Sequence, residues 1–172
     1  MTIKILSNST INKISAGEVI ERPSSVVKEL VENAIDAGAT KISVTLEYSG
    51  KNLIVIKDNG FGMTKEELEL AILRHATSKL DEDDLLNINS FGFRGEALPS
   101  IGAISKFKIT SRKSGSISAY SLSIIGGKIE PTILANINEG TIIEVRDLFF
   151  ATPARLKFLR SDKTELASIV LV

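Results

Sequence analysis

The chain of 172 residues contains no cysteine and no tryptophan. Without cysteine, neither a disulfide nor a thiolate metal site is available, which fits a reducing, intracellular setting. One histidine, His75, leaves a transition-metal site short of ligands. It suits a helix end, where the negative pole of the dipole favours a cation. Charge of one sign is also missing: 21 Lys and Arg balance 21 Asp and Glu, for a net charge of zero. The overall basic footprint of a dedicated nucleic-acid binder is therefore absent, and any DNA contact needs a local patch. No run approaches the ~18 consecutive apolar residues of a membrane span. The opening Met1-Thr2-Ile3-Lys4-Ile5-Leu6 is too short in apolar residues for a secretory signal. No P-loop occurs, and the Gly-x-x-Gly of Gly92–Gly95 is too little for a dinucleotide fingerprint. There is no internal repeat and no low-complexity linker, so one domain is expected over residues 1–172.

What is present is an ordinary globular composition, 43% apolar and 24% charged, with a core left mainly to Ile, Leu and Val. After an N-terminal arm (about residues 1–20) with few regular features, Pro23 fits a first helical turn. Val26, Val27, Leu30, Val31, Ala34 and Ile35 recur at helical spacing, and Gly38 is placed to stop that helix. Lys41 to Tyr48 alternates as a half-buried strand. Ser49–Asn52 turns the chain into a second strand, Leu53–Ile56, apolar throughout and hence central. Thr64 and Glu67 form a capping box that opens a helix running to about His75. Residues of about 76–95 show no sustained period, and a structureless stretch of that length tends to be a lid or binding loop. A short helix (about 96–103) and strands near 105–112, 117–125 and 128–134 follow, the last two joined by a Gly126-Gly127 turn. The final strand runs Thr141 to Val145. A helix is expected after Pro153, and another begins near Thr164, unfinished at Val172. The pattern predicts an α+β sandwich, a mixed β-sheet with helices covering one face, and a chain that is a piece of something longer.

Three polar constellations interrupt this pattern. Glu29 and Asn33 stand four apart on the first helix, about 40° apart around the axis and one turn from each other. An amide oxygen there can hold a hard cation such as Mg2+, and a carboxylate beside it can take a proton from water. Asp58-Asn59-Gly60-Phe61-Gly62 follows a buried strand; an ionised Asp58 only accepts hydrogen bonds and so wants a donor, while the glycines permit close approach. Phe91-Gly92-Phe93-Arg94-Gly95-Glu96 precedes a helix, where amide groups and the dipole attract an anion. Each constellation also has an ordinary reading: a solvated helix face, a plain turn, a flexible surface loop. Their shared order is what makes them a nucleotide site, with Lys79 and Arg94 as the cations on offer.

Those same residues resemble the ATP-binding motifs of the GHKL superfamily, which includes DNA gyrase, Hsp90, histidine kinases and MutL. Within it, Ile14-Ser15-Ala16-Gly17-Glu18-Val19-Ile20-Glu21-Arg22-Pro23, Asp36-Ala37-Gly38-Ala39-Thr40, Arg74-His75-Ala76-Thr77-Ser78-Lys79 and Asp147 to Leu159 resemble the MutL family of DNA mismatch repair proteins. The resemblance covers almost the whole chain. It implies a GHKL (Bergerat) ATP-binding fold, an ATPase, and ATP with Mg2+ as cofactors. Glu29 would be the catalytic base, Asn33 the Mg2+ ligand and Asp58 the acceptor for the adenine amine. Gly62 would let the backbone approach the nucleotide. Thr77, Ser78 and Lys79 would belong to the ATP lid, Gly92, Arg94 and Gly95 would hold phosphates, and Thr141 would support Asp58. The resemblance also implies a second domain that supplies a lysine to the γ-phosphate, so that this chain binds ATP but hydrolyses it poorly. It implies a homodimer of the longer protein, a cytoplasmic, bacterial setting, and a matchmaker role between the mismatch-recognition protein MutS and a downstream nuclease or helicase on DNA, without sequence preference.

Two other readings stay open at this level. In one, the chain is a DNA-binding scaffold with a vestigial nucleotide site, resting on Arg146, Arg155, Lys157, Arg160 and Lys163 as phosphate contacts; Asp162 and Glu165 within that stretch equally suit a solvated helix face. In the other, the nucleotide fold serves a gyrase, chaperone or kinase module.

Overall fold

The computed structural model describes residues 7–74, 76 and 95–172. The region expected to be an irregular arm contains a helix, α1 (Asn8–Val19), whose N-cap Ser7 accepts a hydrogen bond from the Thr10 amide. Periodicity misses it for a physical reason: Ile11 and Ile14 are exposed, and burial rests on Ala16 and the following Ile20. The next helix, α2 (Pro23–Asp36), starts with Pro23 in its first turn and buries Val26, Val27, Leu30 and Ala34. Gly38, at φ 69°, takes the left-handed conformation that ends it.

Strand β1 (Ile42–Glu47) stops before Tyr48, which with Ser49 and Gly50 forms a short 3-10 turn. It is the edge of the sheet, so Val44 stays 42% exposed despite pointing to the core side. Strand β2 (Leu53–Asp58) extends through Asp58 and pairs on both sides, as its apolar run predicts. Helix α3 (Lys65–Ala71) opens with the expected capping box of Thr64 and Glu67. It ends short of His75, because the last turn tightens when the Leu73 amide bonds to the Leu70 carbonyl, three residues back. Helix α4 (Ala97–Ile104) precedes β3 (Lys106–Arg112) and β4 (Ala119–Ile125).

The strand expected over 128–134 is two: β5 (Lys128–Ile129) and β6 (Ile133–Ala135), both paired with β4. Pro131 between them has no amide to give to a ladder. Strand β7 (Gly140–Arg146) lies between β2 and β3. Pro153–Phe158 is a 3-10 helix rather than the expected α-helix; Leu156 and Phe158 are exposed there, so no apolar face rewards a longer helix. Helix α5 (Asp162–Val170) begins at N-cap Ser161 and ends before Val172.

The result is the expected α+β arrangement, with sheet order β1-β2-β7-β3-β4-β5 and β6 beside β4. The sheet was expected to be mixed; among the described residues every pairing is antiparallel, because neighbouring strands meet through hairpins and an inserted β7 rather than through parallel crossovers. Register places residues of one face in rows across the strands. Two rows are apolar: Leu46, Ile54, Val145, Phe107 and Ile124; then Val44, Ile56, Ile143, Ile109 and Leu122. These pack with the buried residues of α2 and α4 in one core. The opposite face carries Lys57, Glu144, Lys108, Arg146 and Lys106, all in part exposed to solvent. No helix among the described residues is long and apolar enough to cross a membrane.

Candidate functional site

The third row of the helix-side face runs Ile42, Asp58, Thr141, Ser111, Tyr120. Its three central positions are polar, and all are buried: Asp58 is 8% exposed, Thr141 7% and Ser111 0%. A buried polar row next to two apolar ones is costly unless each member is hydrogen-bonded. The bonds are present. Asp58 Oδ1 accepts the Gly60 amide at 2.9 Å. Ser111 Oγ lies 3.0 Å from Thr141 Oγ1 and 3.2 Å from the Gly140 carbonyl, and accepts the Met63 amide at 2.9 Å.

Burial pushes the Asp58 carboxyl above its ordinary value, with hydrogen bonds from the Gly60 and Thr141 backbone opposing that rise. Among the described residues no cation offsets that burial, and a further N–H donor brought to the group would favour the ionised form. A cavity of about 330 Å3 opens beside Asp58 and Thr141, bordered also by Asn136, Asn138 and Glu139. A second cavity, about 300 Å3, lies between α1, the end of α3, α4 and the β4–β5 hairpin; the described residues lining it include no carboxylate.

The turn after β2 is bolted to the end of α2. The Phe61 amide donates to the Ala37 carbonyl at 3.0 Å, and Asn59 Oδ1 accepts the amides of Thr40 and Lys41. At Gly60, a Cβ would press on Ala37. Asn33 sits one helical turn before Ala37, whose amide bonds to the Asn33 carbonyl, and Glu29 one turn before that. Tertiary contact thus ties the C-terminal end of α2, one turn after Asn33, to the Asp58 turn. Gly62 has φ 63°, and a Cβ on it would collide with the Arg112 carbonyl. Its close approach within this chain is to the end of β3. Gly95, at φ 61°, packs its backbone against Ala76 in the same way.

Of the residues singled out by sequence, the structure brings Asp58, Thr141, Gly62 and the end of α2 together. Thr77, Ser78, Lys79, Gly92 and Arg94, most of the expected lid of about 76–95, and His75 lie outside the described residues. Among the described residues no group of three or more His, Asp or Glu is placed to hold a metal; a cation here would draw most of its ligands from a bound anion and water, which is Mg2+-like coordination. The basic C-terminal cluster is divided: the Arg155 guanidinium lies against Gly17 of α1, while Lys157, Arg160 and Lys163 are exposed.

Ser111 was missed by the sequence reading. A signal for it exists: three strands each break an apolar alternation with a polar residue, Ile54-Ile56-Asp58, Val145-Ile143-Thr141 and Phe107-Ile109-Ser111. Only the pairing register shows that the three breaks are neighbours.

Comparison with known proteins follows the same residues. Residues 20–141 match the family described as histidine kinase-, DNA gyrase B-, and HSP90-like ATPase. Curated DNA mismatch repair proteins MutL of Rickettsia felis and Rickettsia akari are each 68% identical to the chain over 170 residues, 99% of its length. The chain spans 28% of the length of those relatives. Among solved structures, the Aquifex aeolicus MutL ATPase domain complexed with ADP matches with a TM-score of 0.73 at 38% identity, over 89% of this chain and 53% of that one. The N-terminal domain of a DNA repair protein matches with a TM-score of 0.77 at 31% identity, over 93% and 46%.

Proposed function

The chain belongs to the histidine kinase-, DNA gyrase B- and HSP90-like ATPase family, as the ATPase region of a MutL-type DNA mismatch repair protein, and we propose that it binds ATP with Mg2+ at the polar end of its sheet. The observation that carries this is Asp58: a buried carboxylate, raised by desolvation, at the edge of a cavity and without a charged partner among the described residues. An exocyclic amine is the donor it lacks, and Asp58 accepts from adenine there. Thr141 supports it from the next strand. Gly62 holds the turn close to β3 and so keeps the nucleotide side open.

Asn33 offers its amide oxygen to Mg2+, which when bound neutralises phosphate charge. Glu29, one turn away, takes the proton of the attacking water. Gly92, Arg94 and Gly95 hold the phosphates, and Thr77, Ser78 and Lys79 cover them as a lid between about 76 and 95. Turnover by this chain alone is slow, because the family resemblance assigns a γ-phosphate lysine to a second domain. In the longer protein, nucleotide binding switches a homodimer that links MutS to downstream nuclease or helicase action on DNA, in the cytoplasm. The identity with curated MutL proteins supports that role.

Thermal unfolding with and without Mg2+ and a non-hydrolysable ATP analogue tests the reading. A ligand at 100 times its Kd adds about 2.7 kcal/mol of stability, a shift of several degrees in a domain of this size. The shift is expected to need Mg2+ and to vanish in Asp58→Ala. An equal shift in that variant removes Asp58 from the base site; no shift at millimolar nucleotide overturns binding by this chain.

A further inference from the structure

The two edges of the sheet are unlike. One is made of β5 and β6, two and three residues long, with Pro131 between them. Short strands and a proline protect an edge against pairing with another chain. The other edge is β1, an unbroken six-residue strand in continuous register with β2. It has no proline, no bulge and no charge on its helix side, and among the described residues it pairs with β2 alone.

Which of its main-chain groups are free follows from the bonds at the strand ends. The Asn59 amide donates to the Lys41 carbonyl, continuing the β1–β2 ladder, and the Asp147 amide donates to the Asn52 carbonyl, continuing the β2–β7 ladder. Bonding alternates along an antiparallel strand. With Lys41, residues Ser43, Thr45 and Glu47 therefore turn their main chain to β2, while Ile42, Val44 and Leu46 present amide and carbonyl at the open edge. The side chains of these last three lie on the helix side, where Val44 stays exposed and leaves the middle of the strand accessible.

A second copy of the same edge is its complement. With two such strands antiparallel and centred on Val44, each Val44 meets the other, and Ile42 meets Leu46 of the second copy. Each of these pairs exchanges both main-chain hydrogen bonds. On the opposite face Ser43 meets Thr45, and Lys41 meets Glu47. Lys41 and Glu47 are exposed and belong to none of the ion pairs among the described residues. Sliding one ladder step either way sets Lys41 against Thr45, or Glu47 against Ser43, and loses the charge match. We propose that β1 is a self-association surface, joining two copies of this chain edge to edge about a two-fold axis at Val44, with a Lys41–Glu47 ion pair at each end. The contact uses no nucleotide and is distinct from the nucleotide-switched association of the longer protein. One strand pair buries less than the ~1,000 Å2 of a stable complex, so the dimer is weak and forms at high concentration.

Sedimentation velocity without nucleotide, from micromolar to several hundred micromolar chain, tests this. The wild-type sedimentation coefficient is expected to rise with concentration. Lys41→Glu and Glu47→Lys each set like charges opposite at both ends, and each is expected to weaken self-association about tenfold. An equimolar mixture of the two variants brings opposite charges together at both ends and is expected to associate as wild type does. The bonds from Asn59 reach only the main chain of Lys41, so the charge variants leave them in place. Val44→Lys sets a charge on the two-fold axis at an exposed position; it is expected to abolish association, and it carries the test if a charge variant unfolds. Amide exchange at Ile42, Val44 and Leu46 is expected to slow as concentration rises. A wild-type chain that stays monomeric overturns the proposal. So does association that requires nucleotide, survives Val44→Lys or ignores both charge variants, and a mixture that associates no better than either variant alone overturns the pairing of Lys41 with Glu47.

Discussion

Asp58 has its carboxyl raised by burial, so between its ordinary value and its folded value the native state holds more protons than the unfolded one. Stability contributed by this group therefore falls as pH rises through that window, and the cost of the buried charge is fully present above it. A bound amine donor reverses the balance by favouring the carboxylate. ADP affinity is expected to rise with pH across the same window, and calorimetric titration of wild type against Asp58→Asn checks it; an equal rise in the variant assigns the pH effect elsewhere. Glu29 makes a separate prediction on α2. In a longer protein carrying the second domain, Glu29→Ala is expected to retain ATP binding and lose turnover. Normal turnover in that variant removes Glu29 as the base. Asp58 was legible as a polar residue closing an apolar strand, and Glu29 by its spacing of four from Asn33 on one helix face. The link between their elements was not, since only the Phe61–Ala37 hydrogen bond joins the turn after Asp58 to the end of α2 in space.

At the scale of elements, the clearest local signals are the caps. Thr64 and Glu67 satisfy each other's backbone amides at the start of α3, and Lys113 pairs with Glu67 from the end of β3. Thr64→Ala is expected to cost about 1 kcal/mol, read as a modest fall in Tm. Gly62→Ala is expected to cost more, because φ 63° is strained for any side chain and the added Cβ meets the Arg112 carbonyl; a Tm equal to wild type would show that the turn can move without penalty. The caps were readable because they are local chemistry. Helix α1 was not, because its exposed Ile11 and Ile14 break the apolar stripe and its docking on α4 supplies the missing reason to fold. The 3-10 segment Pro153–Phe158 errs in the other direction: Pro153 and the basic residues announced a helix, but no buried face exists to extend it.

Over the whole molecule, the sheet sets two apolar rows beside one buried polar row, the row proposed for nucleotide recognition. Phe107 and Val145 belong to the apolar row farthest from Asp58, and both are essentially inaccessible to solvent. Phe107→Ala is expected to cost about 3–5 kcal/mol and lower Tm sharply, yet leave ADP affinity little changed below the transition. A parallel loss of affinity in the folded variant would mean that the rows are not independent. The sequence alone determined most of the strands, the α2 and α3 starts and the resemblance to the family, since these depend on residue types at short spacing. Tertiary structure alone decided that the strand pairings among the described residues are all antiparallel, that Pro131 divides a strand, and that α1 exists. It also decided that Asp58, Thr141 and Ser111 are neighbours. Positions 58, 111 and 141 meet through a β7 that inserts between β2 and β3, and strand order is a property of how two faces bury their apolar rows together, which no local run of residues encodes.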